Sequence, residues 1–153
     1  MLKPQAPSFT IRRKLKATAE KVFAAWTQPE ALKRWFAPND ETVLPLVEAD
    51  VRVGGRYRIV MRGPNGDEHR VSGVYKQVVP DQKLVFTWAW ESTPERESLV
   101  TVELEPTAGG CELIFTHERF FDEAARDRHQ QGWSASLGRL QRYLADSFGA
   151  AKG

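Results

Sequence analysis

The sequence predicts an α+β domain in which an antiparallel sheet is covered by one long C-terminal helix. Between residues 56 and 118, apolar and polar side chains alternate in several short runs, which is typical of half-buried strands. Short turns such as Asn65-Gly66 separate these runs, and turns this short join antiparallel strands. Near the C-terminus, HQQGWSASLGRLQRYL at 129–144 instead carries its large apolar residues at helical spacing. Because a sheet with one apolar face needs a second layer, we expect this helix to cover it.

The N-terminal part of the chain is predicted to form a strand, two short helices and an interrupted strand. These elements span residues 9–15, 18–26, 29–35 and 42–49. Thr18 is a favourable N-cap for the first helix, and Pro29 suits the first position of the second. The strand at 42–49 is expected to break at Pro45.

The rest of the chain is predicted to form five strands and the long helix. The strands span residues 56–62, 69–79, 84–91, 99–105 and 111–118, and the helix spans about 123–148. Asp122 is placed to cap the helix. With the N-terminal strands, the sheet would have about six to seven strands. No linker, repeat or low-complexity segment divides the chain, so residues 1–153 are predicted to form a single domain.

Composition favours a globular protein that does not bind nucleic acid. The chain is 41% hydrophobic and 27% charged, and its net charge of +2 is too small to indicate a nucleic-acid partner. Cys111 is the one cysteine, which excludes an internal disulfide and fits a reducing compartment. The N-terminal MLKPQAPSFTIRRKL lacks the apolar core of a signal peptide, and no apolar run approaches the roughly 18 residues that span a membrane. We therefore expect a cytoplasmic protein without membrane insertion, present as a monomer or weak homodimer.

An aromatic pocket between the sheet and the long helix is the predicted functional site. Large aromatic side chains on both facing layers would hold the layers apart, and Gly132 beside Trp133 would leave room for a ligand. The alternative is that the same residues form an ordinary dense core. The predicted lining consists of Trp35, Phe36, Tyr57, Ile59, Met61, Phe86, Trp88, Trp90, Val102, Phe115, His117, His129, Trp133 and Leu137.

Polar chemistry in this pocket would come from histidine. His117 follows the inward alternation of its strand, and His129 lies one helical turn before Trp133. They are predicted as polar anchors or as a general base. The alternatives are a core histidine with satisfied hydrogen bonds for His117 and a helix-surface residue for His129. No residues with metal-ligand spacing and no phosphate-binding loop occur, and Cys111 has no partner base in the sequence, so neither a cofactor nor a catalytic residue is predicted.

Four segments in chain order resemble one known family. They are TAEKVFAAWTQPEALKRWF at 18–36, VGGRYRIVMRGPNGDEHRVSGVYKQVVPDQKLVFTW at 53–88, LVTVELEPTAGGCELIFTHERF at 99–120 and HQQGWSASLGRLQRYL at 129–144. Together they resemble the SRPBCC (START/birch-pollen-allergen-like) superfamily, in the branch named for activators of the heat-shock protein 90 ATPase. The chain has Gly110-Cys111 where the family usually has Gly-Thr, a small change at a turn outside the expected cavity.

The resemblance implies the helix-grip fold, in which a curved antiparallel sheet grips the long C-terminal helix around an elongated apolar cavity. Two short helices would lie between the first and second strands. The superfamily includes lipid and hormone carriers, aromatic polyketide cyclases and oxygenase subunits, so the fold does not settle the function. The eukaryotic activators carry an additional N-terminal chaperone-binding domain, for which we expect no room in 153 residues.

The function expected from these observations is a binding module that holds a small apolar or aromatic molecule. One alternative is a chaperone partner that stimulates an ATPase, for which the alternating arginines Arg56, Arg58 and Arg62 are the candidate surface. The other is a cyclase or hydrolase that uses the same cavity, with His117 or Tyr57 as acid or base.

Overall fold

The computed structural model describes residues 6–149, which form an antiparallel sheet, three α-helices and one π-helical turn. The start of the N-terminal stretch, which entered the prediction of a cytoplasmic location, lies outside the described residues. In chain order the elements are β1 (Phe9–Leu15), α1 (Ala19–Thr27), α2 (Pro29–Trp35), β2 (Val43–Ala49), β3 (Arg56–Arg62), β4 (Glu68–Val79), β5 (Lys83–Trp90), β6 (Ser98–Thr107), β7 (Gly110–Glu118), α3 (Glu123–Leu144) and the turn Ala145–Gly149.

The sheet contains seven described strands in the order β1-β7-β6-β5-β4-β3-β2, and every neighbouring pair is antiparallel. The sheet is curved, α3 lies along it, and the two short helices connect β1 to β2. The α+β class and the helix-grip arrangement predicted from the sequence are therefore confirmed. None of the described helices combines the length and the apolar character that a membrane span requires.

Local sequence signals account for the helix starts. Thr18 Oγ1 accepts a hydrogen bond from the backbone N–H of Lys21 at 3.3 Å, which caps α1 as predicted. Asp122 caps α3 in the same way, with its carboxylate 2.8 Å from the N–H of Ala125. The α-helical part of α3 ends at Leu144, four residues before the predicted end, and the chain continues as the π-helical turn.

Pro45 interrupts β2 without ending it. The pairing register between β2 and β3 shifts between Val43 and Leu46, so the proline lies in an irregularity of the strand. This position is tolerated because proline has no backbone N–H to donate, and β2, as the last strand of the sheet, pairs on one side only. The predicted break at Pro45 is thus observed as a local irregularity within one strand.

The apolar stripe of α3 packs on the inner face of the sheet. Trp133, Leu137, Leu140 and Leu144 are all buried. The ring of Trp133 lies 4.4 Å from that of Phe115 on β7, measured between centroids. Burying such large apolar side chains supplies most of the free energy that holds a helix on a sheet.

Candidate ligand-binding site

A pocket of about 550 Å³ opens at one end of the interface between α3 and the sheet. Its walls come from α3, from the end of β5, from the hairpin between β3 and β4, and from the segment after α2. The lining consists of Phe36, Pro38, Thr42, Met61, Gly63, Asn65, Asp67, His69, Trp88, Trp90, Arg128, His129, Gly132, Trp133 and Ser136. This volume lies within the range of pockets that hold small organic molecules.

Gly132 contributes open space to this pocket. A Cβ atom built on Gly132 would meet no atom within 4 Å outside its own helix backbone. A larger residue would therefore fit the helix but would project a side chain into the lining. Glycine costs a helix interior about 1 kcal/mol relative to alanine, so the space beside Trp133 is kept at the expense of helix stability.

The predicted lining residues fall into three groups. Six of them line the pocket, namely Phe36, Met61, Trp88, Trp90, His129 and Trp133. Three line a separate cavity of about 20 Å³, which has room for about one water molecule, namely Tyr57, Ile59 and Phe86. The other five are buried and line neither cavity, namely Trp35, Val102, Phe115, His117 and Leu137. The predicted site thus covered more of the interface than the pocket occupies. The reason is that aromatic side chains on facing layers can pack against each other and fill the space instead of leaving a gap.

Sequence patterns did not identify the rim of the pocket. The turn at 63–67 was recognised as a turn, but only the tertiary structure shows that it lines a pocket together with α3. Arg128 was also missed, although a signal for it exists. Arg128, Gly132 and Ser136 are four residues apart, which places them on one face of a helix.

A chain of hydrogen bonds ties two walls of the pocket to His117. The indole N–H of Trp133 donates to His117 Nδ1 at 3.2 Å. An indole nitrogen can only donate, so Nδ1 of His117 is unprotonated and Nε2 carries the hydrogen. Nε2 then donates to Ser98 Oγ at 2.7 Å, and Ser98 donates to the backbone oxygen of Trp88 at 3.1 Å.

Neither residue expected to act as acid or base in an enzyme has a free polar atom. His117 is fully buried, and burial, with the neighbouring His129 as a smaller cause, holds its pKa well below the ordinary histidine value. The hydroxyl of Tyr57 donates to the backbone oxygen of Thr87, and burial raises its pKa far above the usual range. His117 is therefore a core histidine with satisfied hydrogen bonds, which was the alternative to a polar anchor.

His129 is a lining residue with one free ring nitrogen. Its Nδ1 lies 2.7 Å from the backbone oxygen of Ala125 and must donate to it, so Nε2 is left as an acceptor. Nε2 is buried and has no hydrogen-bond partner among the described residues, and the same is true of the indole N–H of Trp88. Burial, opposed by the bond to Ala125 and aided by the charge of Arg128, lowers the pKa of His129. Two lining residues, Trp88 and His129, thus each keep one buried polar atom without a hydrogen-bond partner among the described residues.

Two opposite charges stand on the rim of the pocket. Asp67, in the β3–β4 hairpin, accepts a hydrogen bond from the Asn65 side-chain amide at 2.9 Å. Arg128 on α3 makes no hydrogen bond or ion pair with any residue that the structure describes. Within residues 6–149, no group of three or more His, Cys, Asp or Glu side chains is arranged to hold a metal ion.

Comparison with known proteins gives a family and a fold. A family model described as "Activator of Hsp90 ATPase homolog 1-like protein" matches residues 16–145. A protein from Chromobacterium violaceum is 27% identical, with a TM-score of 0.81 over 90% of this chain and 97% of its own. An uncharacterized protein from Rhizobium leguminosarum is 30% identical, with a TM-score of 0.79 over 94% and 97% of the two chains. The AHSA1 protein from Silicibacter pomeroyi is 30% identical, with a TM-score of 0.79 over 91% and 98%. No curated protein matches the chain.

Proposed function

The chain belongs to the Activator of Hsp90 ATPase homolog 1-like family of the SRPBCC superfamily, and we propose that it is a binding module for a small apolar or aromatic molecule. The resemblance stated from the sequence is confirmed by the family match, while the ligand is our inference. The observation that carries the proposal is the pocket of about 550 Å³ with walls formed by Phe36, Trp88, Trp90 and Trp133. Pockets of this size and composition are typical of small-molecule sites.

The pocket has the two properties that a ligand site needs, rigid walls and free space. Trp133 and Trp88 are only 4% exposed. The hydrogen bonds through His117 and Ser98 fix the indole of Trp133 and the backbone of Trp88. Gly132 keeps the space between them open. A preformed pocket loses little conformational entropy when a ligand enters, which favours binding.

The alternating arginines give little support to a protein-partner function. Arg58 pairs with Glu91 at 2.8 Å, and Arg62 pairs with Glu68 at 2.8 Å. Two of the three arginines thus already have acidic partners. The name of the family keeps a chaperone partner as an alternative, but no described surface favours it over the pocket. A cytoplasmic location and a monomeric or weakly dimeric state remain part of this proposal.

Phenylnaphthylamine, an uncharged aromatic dye that fluoresces in apolar surroundings, provides the test. We expect it to bind the purified protein, to quench tryptophan fluorescence and to saturate at one dye per chain. Gly132→Leu should abolish binding, because the new side chain would occupy the pocket. Gly138→Leu is the matched control, since Gly138 lies on the same helix outside the lining and its Cβ position is equally open.

Thermal unfolding of both variants shows whether they are folded. Loss of dye binding in Gly132→Leu alone supports the pocket. Equal binding by the wild type and by a folded Gly132→Leu variant would overturn the proposal, as would the absence of any binding to the wild type.

A further inference from the structure

The unpaired charge of Arg128 distinguishes it from the other arginines near the pocket. Arg126 on the same helix pairs with Asp127 at 2.8 Å, and Arg139 pairs with Asp40. Arg128 lies between these residues on α3 and lines the pocket, yet it contacts no carboxylate among residues 6–149. A guanidinium that lines an apolar pocket without a counter-ion is available to a ligand.

The other charged group of the lining does not neutralise Arg128. Asp67 lies in the β3–β4 hairpin and accepts a hydrogen bond from the Asn65 side-chain amide at 2.9 Å. It is not within ion-pair distance of Arg128. His69 and His129 complete the titratable lining. Burial lowers the pKa of His129, which favours its neutral form, and its buried Nε2 is an acceptor, so this atom cannot donate to the oxygens of an anion. Among the lining residues of the pocket, Arg128 is therefore the one with a permanent positive charge.

Arg128 is an exposed residue of the pocket lining, and its charge lies next to His129. It is one of the causes that lower the pKa of His129, whose ring packs against Trp90 with 5.8 Å between centroids. Because Arg128 is exposed, water and salt screen its charge, so we expect a modest contribution to the binding of an anionic group. A guanidinium also presents several N–H donors in the plane that carboxylate, sulfonate and phosphate oxygens accept.

We propose that the ligand of this pocket is an aromatic molecule that carries an anionic group, and that Arg128 binds this group. The inference rests on the proposed function, because it concerns the same pocket. The aromatic part would lie among Trp88, Trp90 and Trp133, and the anionic group would reach the rim at Arg128. The class includes aromatic carboxylates, sulfonates and phosphates.

Two dyes that differ by one charged group provide the test. Anilinonaphthalene sulfonate has the same aromatic rings as phenylnaphthylamine and adds a single sulfonate. We expect the sulfonate dye to bind the wild type more tightly than the neutral dye. Arg128→Gln should lower the affinity for the sulfonate dye roughly three- to tenfold and leave the affinity for the neutral dye unchanged. A rising salt concentration should lower the affinity for the sulfonate dye only, because ions screen the charge of Arg128.

Arg142→Gln is the matched control, because Arg142 lies in the last turn of α3 and outside the pocket lining. It removes the same charge and should change neither affinity. If Arg128→Gln and Arg142→Gln affect the sulfonate dye equally, or if neither does, the anionic class is wrong. Binding of the neutral dye, with its loss in Gly132→Leu, would in that case still support the pocket. Failure of the neutral dye itself would overturn the proposed function instead.

Discussion

Trp133 on α3 donates its indole hydrogen to Nδ1 of His117 on β7, across the interface between helix and sheet. Because indole is only a donor, this contact decides which nitrogen of His117 carries the proton. The same histidine then donates to Ser98, which donates to the backbone of Trp88. One buried histidine therefore links the helix wall of the pocket to its sheet wall.

His117→Leu is expected to destabilise the protein by roughly 2–4 kcal/mol. The substitution leaves the indole N–H of Trp133 without an acceptor, which costs about 1–3 kcal/mol. It also removes the hydrogen bond between His117 and Ser98, worth about 1 kcal/mol, while Ser98 keeps its bond to the backbone oxygen of Trp88. Urea unfolding measures the change. Trp133→Phe and the double variant complete a cycle, in which the coupling of the two residues should be about 1 kcal/mol. Additive effects would show that the hydrogen bond contributes nothing.

The free energy of unfolding should fall as the pH drops below about 6.5, the ordinary pKa of histidine. Burial holds the pKa of His117 well below that value in the folded protein, so the unfolded chain binds a proton before the folded protein does. Above this pH neither state is protonated and the effect disappears. Below it, each pH unit lowers stability by up to about 1.4 kcal/mol per histidine. Burial lowers the pKa of His129 too, which adds an effect of the same sign.

Urea unfolding between about pH 5 and pH 7.5 measures this dependence. A difference of one bound proton between the folded and unfolded states changes the free energy of unfolding by about 1.4 kcal/mol per pH unit. His117→Leu should reduce the slope of stability against pH, since one of the two histidines is removed. Glu68 and Glu91 contribute little in this window, because their pKa values are lowered in the folded protein and an unfolded glutamate, with its ordinary pKa of 4.5, is mostly ionised above about pH 5. An unchanged slope in His117→Leu would mean that His117 is not the group responsible.

Gly132→Ala should stabilise the protein by up to about 1 kcal/mol, because alanine is a better helix former and the added Cβ meets no neighbour. Gly138→Ala should give the same gain for the same reason. Gly73→Ala should instead cost about 1–3 kcal/mol, because its Cβ would lie 2.0 Å from the backbone oxygen of Thr87. Thermal unfolding of the three variants ranks them, and a loss of stability in Gly132→Ala would show that the space beside it is not open.

Trp90→Ala should weaken dye binding by about 1–2 kcal/mol, or roughly five- to thirtyfold, while the protein stays folded. Trp90 lines the pocket but is only half-buried, so its loss removes ligand contact with less damage to the core than loss of Trp133. Fluorescence titration with phenylnaphthylamine measures the affinity. Phe121→Ala removes an exposed aromatic ring outside the lining and should leave the affinity unchanged.

Asp122→Ala should destabilise the protein by about 0.5–2 kcal/mol, since the carboxylate of Asp122 caps the first turn of α3. The expected secondary effect is weaker dye binding, because the early turns of α3 carry Arg128 and His129. Hydrogen exchange of the amides at 123–129 would report fraying directly. Unchanged protection there would indicate that packing alone holds this end of the helix.

Short-range patterns were sufficient to predict the elements of the fold. The alternation of strands such as β3, the caps at Thr18 and Asp122 and the stripe on α3 each depend on residues within one or two turns of the chain. Local backbone preferences and side-chain periodicity act at that range, so the sequence displays them directly. The antiparallel order followed from short turns, since short turns permit little else.

The same patterns could not separate pocket from core. Phe115 and Trp88 alternate in the same way on their strands, yet Phe115 is packed against Trp133 and Trp88 faces the open space. The difference arises from how α3 lies on the curved sheet, because the Trp133 ring meets Phe115 while a gap is left near the end of β5. Curvature sums small twists over seven strands, and no single segment contains it.

The sequence by itself determined which elements form, which of their faces are apolar, and that Gly132 stands beside Trp133 on the long helix. Only the tertiary structure decided that His117 is enclosed in hydrogen bonds while His129 and Arg128 line the pocket. The physical reason is that hydrogen-bond partners such as Ser98 and Trp133 come from different elements. Their approach depends on how a helix settles on a curved sheet, which is fixed by packing of the whole domain.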